Sequence, residues 1–137
     1  MEKSNYLTDF ENFMSLRLQA STDFVEGKFE SLKNISAKVS PATIFPPSGS
    51  IVQDADEVNR FNEKGAALFL PGAQNTFEVL HQNADQSLAY WTGIQRSTVR
   101  MKGHDEDVVF NLRVTEVFRK DANEWKLIHR HADPLKD

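Results

Sequence analysis

The sequence predicts an α+β fold, with helices gathered in its first half and strands in its second. Three observations carry this. Apolar residues recur at helical spacing through the first thirty-odd positions, and β-forming residues dominate from Asn75 onward. The breaks between those later segments are as short as hairpin loops, which makes the second half an antiparallel meander with helices on one face.

The first helix carries Phe10, Phe13, Met14 and Leu18 near one side, and Thr8 with Glu11 has the spacing of a capping box. Gly27, in "FVEGKFESL", breaks this run and leaves a short second helix around Phe29 to Ile35. Thr43 to Phe45 reads as a short strand closed by the turn-rich "PPSGS". A third amphipathic helix fits Asp56 to Leu68, with Val58, Phe61 and Leu68 on its apolar side, and Pro71-Gly72 ends it. Four strands follow, Thr76–His81, Leu88–Met101, Val108–Arg119 and Trp125–Ala132, separated by "QNADQ", "KGHDED" and "KDANE".

A chain of 137 residues, 39% hydrophobic and 26% charged, has the size and composition of one globular domain, spanning residues 1–137. Its net charge of −4, with basic residues scattered, argues against nucleic acid as a partner. No apolar run approaches the roughly 20 residues of a membrane span. The acidic start "MEKSNYLTDFENF" lacks a signal-peptide pattern, so no membrane partner is expected and a cytoplasmic location is the default. The absence of cysteine excludes disulfides, thiolate catalysis and zinc–thiolate sites.

Alternation along the strands assigns their faces. Leu112, Val114 and Phe118 share one face, and Arg113, Thr115 and Val117 the other. Strict alternation puts Trp125, Leu127, His129 and His131 on one side of the last strand, with Lys126, Ile128, Arg130 and Ala132 opposite. A sheet apolar on both faces covers one with helices and the other with a second copy of itself, so a homodimer through the sheet is expected.

"LAYWTGIQ", "LRVTEVFRKDANEW" and "WKLIHRHADP" resemble the last three strands of the SnoaL-like, nuclear-transport-factor-two-like proteins, a superfamily that includes ketosteroid isomerases. "ATIFPPSGSIVQDADEVNRF" resembles that family's first strand, loop and following helix. The ending is similar to that of the association domain of calcium/calmodulin-dependent kinase. The resemblance implies a cystatin-like α+β cone: a strongly curved, mostly antiparallel sheet forming a conical barrel around a long N-terminal helix, with two further helices. It also implies a small-molecule pocket and dimerisation through the outer sheet face. The superfamily hosts isomerases, cyclases, dehydratases and assembly domains on one scaffold, so fold alone does not choose the chemistry. The tyrosine and two aspartates of the ketosteroid isomerase branch have no counterparts here, which argues against steroid isomerisation.

The paired histidines of "WKLIHRHADP" admit three roles. As metal ligands, His129 and His131 stand about 6.5–7 Å apart along the strand. No third ligand falls at a suitable spacing, so neither metal nor cofactor is expected. As an acid/base pair, they have Asp133 beside them to orient an imidazole, which makes His129, His131 and Asp133 the candidate catalytic residues of a metal-independent isomerase, cyclase or dehydratase. As packing residues, they turn to the dimer face and leave Arg130 to look inward. By strand position relative to the kinase association domain, Tyr90, Thr92, Arg113 and Thr115 then line the pocket with Arg130. An arginine pocket suits a small, partly apolar carboxylate or carbonyl compound. On this reading Trp91 turns to the interface, and Glu116 pairs with a basic residue of an adjacent strand. The alternative to an enzyme is a non-catalytic ligand-binding or dimerisation module.

Overall fold

A computed structural model describes residues 5–136. Helix α1 (Asn5–Val25) runs 21 residues, and α2 (Glu30–Ile35) follows a tight break. Gly27 makes that break possible: its φ is +90°, and a Cβ there would lie 2.7 Å from the Phe69 carbonyl oxygen. Strands β1 (Thr43–Phe45) and β2 (Val52–Gln53) precede α3 (Ala55–Ala66). The meander then runs through β3 (Phe69–Ala84), β4 (Leu88–Met101), β5 (Val108–Asp121) and β6 (Glu124–Pro134).

The six strands form one sheet in the order β2-β1-β6-β5-β4-β3, antiparallel except where β1 lies parallel to β6. This is the expected α+β arrangement, a mostly antiparallel sheet around a long N-terminal helix, although the sheet stays open instead of closing into a barrel. Register shifts interrupt β3 at two places and the β5–β6 pairing at one, and such bulges bend and twist strands locally. Strand β3 is much longer than its β-propensity predicts, starting at Phe69 through Pro71-Gly72. Thr8 lies inside α1 and does not cap it.

The core sits where α1 crosses the concave face. Phe10 is fully buried, 5.3 Å from the ring of Phe118 and edge-on to Trp125 at 5.6 Å. Further along the same face Trp91 is fully buried and stacks on Phe77 at 4.6 Å. Trp91 therefore belongs to the interior, a correction to its expected place at an interface.

One residue resets the last strand. In the β5–β6 ladder Phe118 pairs with Leu127 but Val117 pairs with His129, so Ile128 is extra. Trp125 and Leu127 face the core before this bulge, and Arg130 and Ala132 share that face after it. Strict alternation fails here, and Trp125 and Leu127 do not share a face with His131.

Candidate functional site

A cavity of about 230 Å³ opens between α1, the concave sheet face, α3 and the loop after β1. Its walls are mostly apolar, with Phe24, Phe61, Phe69, Phe110, Leu112 and Val58 among them. Its polar end is built from α1, β4, β5 and β6. Arg17, on the buried stripe of α1 that runs Phe10, Arg17, Ala20, Ser21 and Val25, reaches down onto the sheet.

Three charged groups meet at this end. Glu116 is fully buried and directly opposite Arg130 in the ladder. Arg17 donates to both of its oxygens, Nε to Oε1 at 2.8 Å and Nη2 to Oε2 at 2.7 Å. Arg130 Nη1 donates to Oε2 at 2.7 Å, and the indole Nε1 of Trp91 donates to Oε1 at 2.7 Å. Burial alone would push the Glu116 carboxyl up; the two guanidiniums more than offset it and hold it at about 2. Burial lowers Arg130, with Glu116 working against that and Arg17 adding to it. Two guanidiniums on one carboxylate leave the cluster with an excess positive charge.

A neutral network extends the cluster. Arg130 Nη2 donates to Gln95 Oε1 at 2.7 Å, and Gln95 Nε2 donates to Asn75 Oδ1 at 2.9 Å and Ser21 Oγ at 3.1 Å. Ser97 Oγ donates to Asn75 Oδ1 at 2.6 Å. Against this saturation one donor stands out. Arg17 Nη1 is buried and has no hydrogen-bond partner, although Arg17 lines the cavity.

Of the residues expected to bind ligand, Arg130 lines the cavity; Tyr90, Thr92, Arg113 and Thr115 do not. Those four lie on the convex face because Ala89, Trp91, Val114 and Glu116, their neighbours in sequence, take the concave one. The expectation that they share a face with Arg130 is thereby corrected. They nevertheless sit together. Thr92 pairs with Thr115 in the ladder, Thr115 with His131, and His131 with Phe45. The Thr92 and Thr115 hydroxyls are 2.8 Å apart, and Tyr90 Oη lies 2.9 Å from His81 Nδ1.

The candidate catalytic residues are divided. His131 is half exposed, with Nε2 3.7 Å from Asp133, and Asp133 is held bidentately by Arg113 at 2.6 and 2.8 Å. That hydrogen-bonded arginine keeps the Asp133 carboxyl below its usual range. Neither residue lines the cavity; His129 does. Its Nδ1 shares a 2.7 Å hydrogen bond with the Thr43 hydroxyl, and its ring meets Phe45 edge-on at 4.8 Å. Burial lowers its pKa, His131 adds to this, and Glu116 opposes it. Among the described residues no three His, Asp or Glu side chains converge as metal ligands.

Sequence reasoning missed Arg17, Gln95, Ser97 and Asn62 as cavity residues. For Arg17 a signal exists: it falls three or four residues from Phe13, Met14, Ala20 and Ser21, so the apolar stripe of α1 has a charge in its middle.

Residues 18–134 of the chain match the model of the SnoaL-like domain. The chain belongs to the SnoaL-like family. Solved structures share the fold of this SnoaL-like protein. A proposed dehydratase of the nuclear transport factor 2-like family from Streptomyces avermitilis superposes with a TM-score of 0.79 at 20% identity, covering 95% of this chain and 98% of that one. A proposed scytalone dehydratase from Novosphingobium aromaticivorans gives 0.74 at 11% identity, covering 94% and 85%. The hub homology domain of calcium/calmodulin-dependent kinase II from Chlamydomonas reinhardtii gives 0.69 at 18% identity, covering 93% and 99%. At these identities the likeness is one of fold. Among curated proteins, none matches the chain. Among the described residues no helix is long and apolar enough to cross a membrane.

Proposed function

We propose that this SnoaL-like protein binds a small, partly apolar carboxylate in the cavity, with its carboxylate received by Arg17 and Arg130. One observation carries the reading: Glu116 takes both guanidiniums yet leaves Arg17 Nη1 buried and unpaired beside an apolar chamber. A buried donor without a partner is costly, and an anion would satisfy it and balance the excess charge. Calorimetric titration with phenylpropionate and its neutral amide tests this. The acid should bind and the amide bind at least about tenfold more weakly; equal affinity overturns the reading.

A second reading, a metal-independent acid/base enzyme of the dehydratase, isomerase or cyclase type, has support from His129. It lines the cavity, is oriented by Thr43, and is held toward the neutral form that accepts a proton. Glu116 is a poor base while two arginines grip it.

The convex face supports self-association through the sheet as a further part of the proposal. It carries Tyr90, Thr92, Thr115 and His131 as one patch, with exposed Leu88 and Val109 on the same parity. The likeness in fold to a kinase hub homology domain points the same way. Light scattering on the purified chain should give a dimer at micromolar concentration; a clean monomer overturns it.

A further inference from the structure

Helix α3 closes one side of the cavity with a single inward stripe, Ala55, Val58, Asn62 and Ala66. Three of these are apolar, as expected of a helix packed beside a sheet edge. Asn62 is not. It is only 8% exposed, lines the cavity, and has no side-chain hydrogen bond to any described residue. Its amide is not among the fully buried polar atoms that lack a partner, so it keeps some accessible surface. The contrast with Asn59, one residue-triplet earlier on the same helix, is instructive: the Asn59 amide donates to the carbonyls of Ala55 and Ala37 and so serves the fold. Among the described residues, no hydrogen bond ties the Asn62 side chain to the fold.

We infer that Asn62 is a specificity-determining residue that hydrogen-bonds a hydroxyl group on the ligand, so that the ligand is an aromatic hydroxy-carboxylic acid. The inference rests on the carboxylate reading and deepens it. A carboxamide presents a donor and an acceptor together, and a hydroxyl is the small group that answers both. The body between the two polar ends is set by the cavity wall. Phe24, Phe61, Phe69 and Phe110 supply ring faces and edges, which suit a flat aromatic ligand. A site with a polar group committed to a ligand hydroxyl discriminates strongly against the analogue lacking it, because the protein group is then left unpaired.

Matched probes separate the role of Asn62 from carboxylate binding. Benzoate, phenylacetate and phenylpropionate, each with and without a ring hydroxyl at the meta or para position, are titrated into the wild-type protein, Asn62→Leu and Asn62→Ala. In the wild type, at least one hydroxylated acid is expected to bind about tenfold or more tighter than its parent. Asn62→Leu and Asn62→Ala should erase that preference while leaving the parent acid's affinity within about threefold. The unliganded Asn62→Leu protein should also melt at a higher temperature, since it replaces an unpartnered amide by an apolar side chain of similar size; a structural Asn62 would move the midpoint down. If parent and hydroxylated acids bind the wild type equally and the variants change neither, the role of Asn62 is overturned and the carboxylate reading stands. If no acid binds the wild type, both fall.

Discussion

Glu116 and Arg130 stand directly opposite one another on β5 and β6, and their side chains meet under α1 with Nη1 2.7 Å from Oε2. Arg17 arrives from α1 to complete the cluster, so one carboxylate ties the helix to two strands. Removing one member of such a buried group strands the others. Glu116→Gln is expected to cost about 3–5 kcal/mol of folding stability, read from urea denaturation with an unchanged m-value. A loss below about 1 kcal/mol would show that the arginines find other partners.

The same carboxylate sets an acid limit. Its pKa falls from 4.5 to about 2 on folding. A depressed folded value means that the unfolded chain takes up the proton first, so the contribution is full above 4.5 and disappears as pH falls toward about 2. Thermal midpoints of the wild type should drop through that window. The Glu116→Gln variant should show a shallower drop there, and an equal slope would contradict the assignment.

His129 is expected to titrate below the ordinary imidazole value of about 6.5, because burial and His131 disfavour its charged form. Folding stability tied to His129 is therefore present above that value and is lost as pH falls below it. Proton NMR of the ring resonances checks the direction. A His129 midpoint at or above the ordinary value refutes it.

Gly93 makes a backbone prediction free of charge effects. A Cβ at that position would sit 2.0 Å from the Glu78 carbonyl oxygen, beside the bulge between Val79 and His81. Gly93→Ala must push β3 away from β4, at an expected cost of about 1–3 kcal/mol or more. Wild-type stability in this variant, measured by denaturation, would mean the two strands run further apart.

Ligand affinity should depend on β6 residue by residue. Arg130→Gln is expected to weaken carboxylate binding by a hundredfold or more, at about 1.4 kcal/mol for each factor of ten. His131→Ala, on the convex face, should leave the affinity within about twofold while weakening self-association. Calorimetry and light scattering on the two variants decide, and the reverse pattern would mean that the faces are exchanged.

Much of this architecture was legible in the chain. Leu88–Met101 matches β4 to the residue, and the bounds of β1 match as well. Periodicity and turn chemistry are local, and local signals survive without knowledge of the tertiary fold. The family resemblance is borne out by the domain match. The site was harder. Glu116 was expected to pair with a basic residue of an adjacent strand, as it does with Arg130. Arg17 interrupts the apolar stripe of α1, but only the fold brings Arg17 and Glu116 together across 99 positions. Arg130 was singled out as inward-facing, yet its expected companions Arg113 and Thr115 face the other way because Glu116 claims the concave side. Alternation tells which residues share a face within one strand; it does not tell how two strands are phased against each other.

The extra residue Ile128 makes β6 two short strands of opposite phase joined end to end. Up to Leu127 the odd-numbered positions look inward; from Arg130 onward the even-numbered ones do. Any substitution scheme that treats the strand as one repeat would place charge in the core on one side of this joint and grease on the surface on the other. Engineering of the cavity and of the outer face should therefore number the strand from the joint, not from its ends.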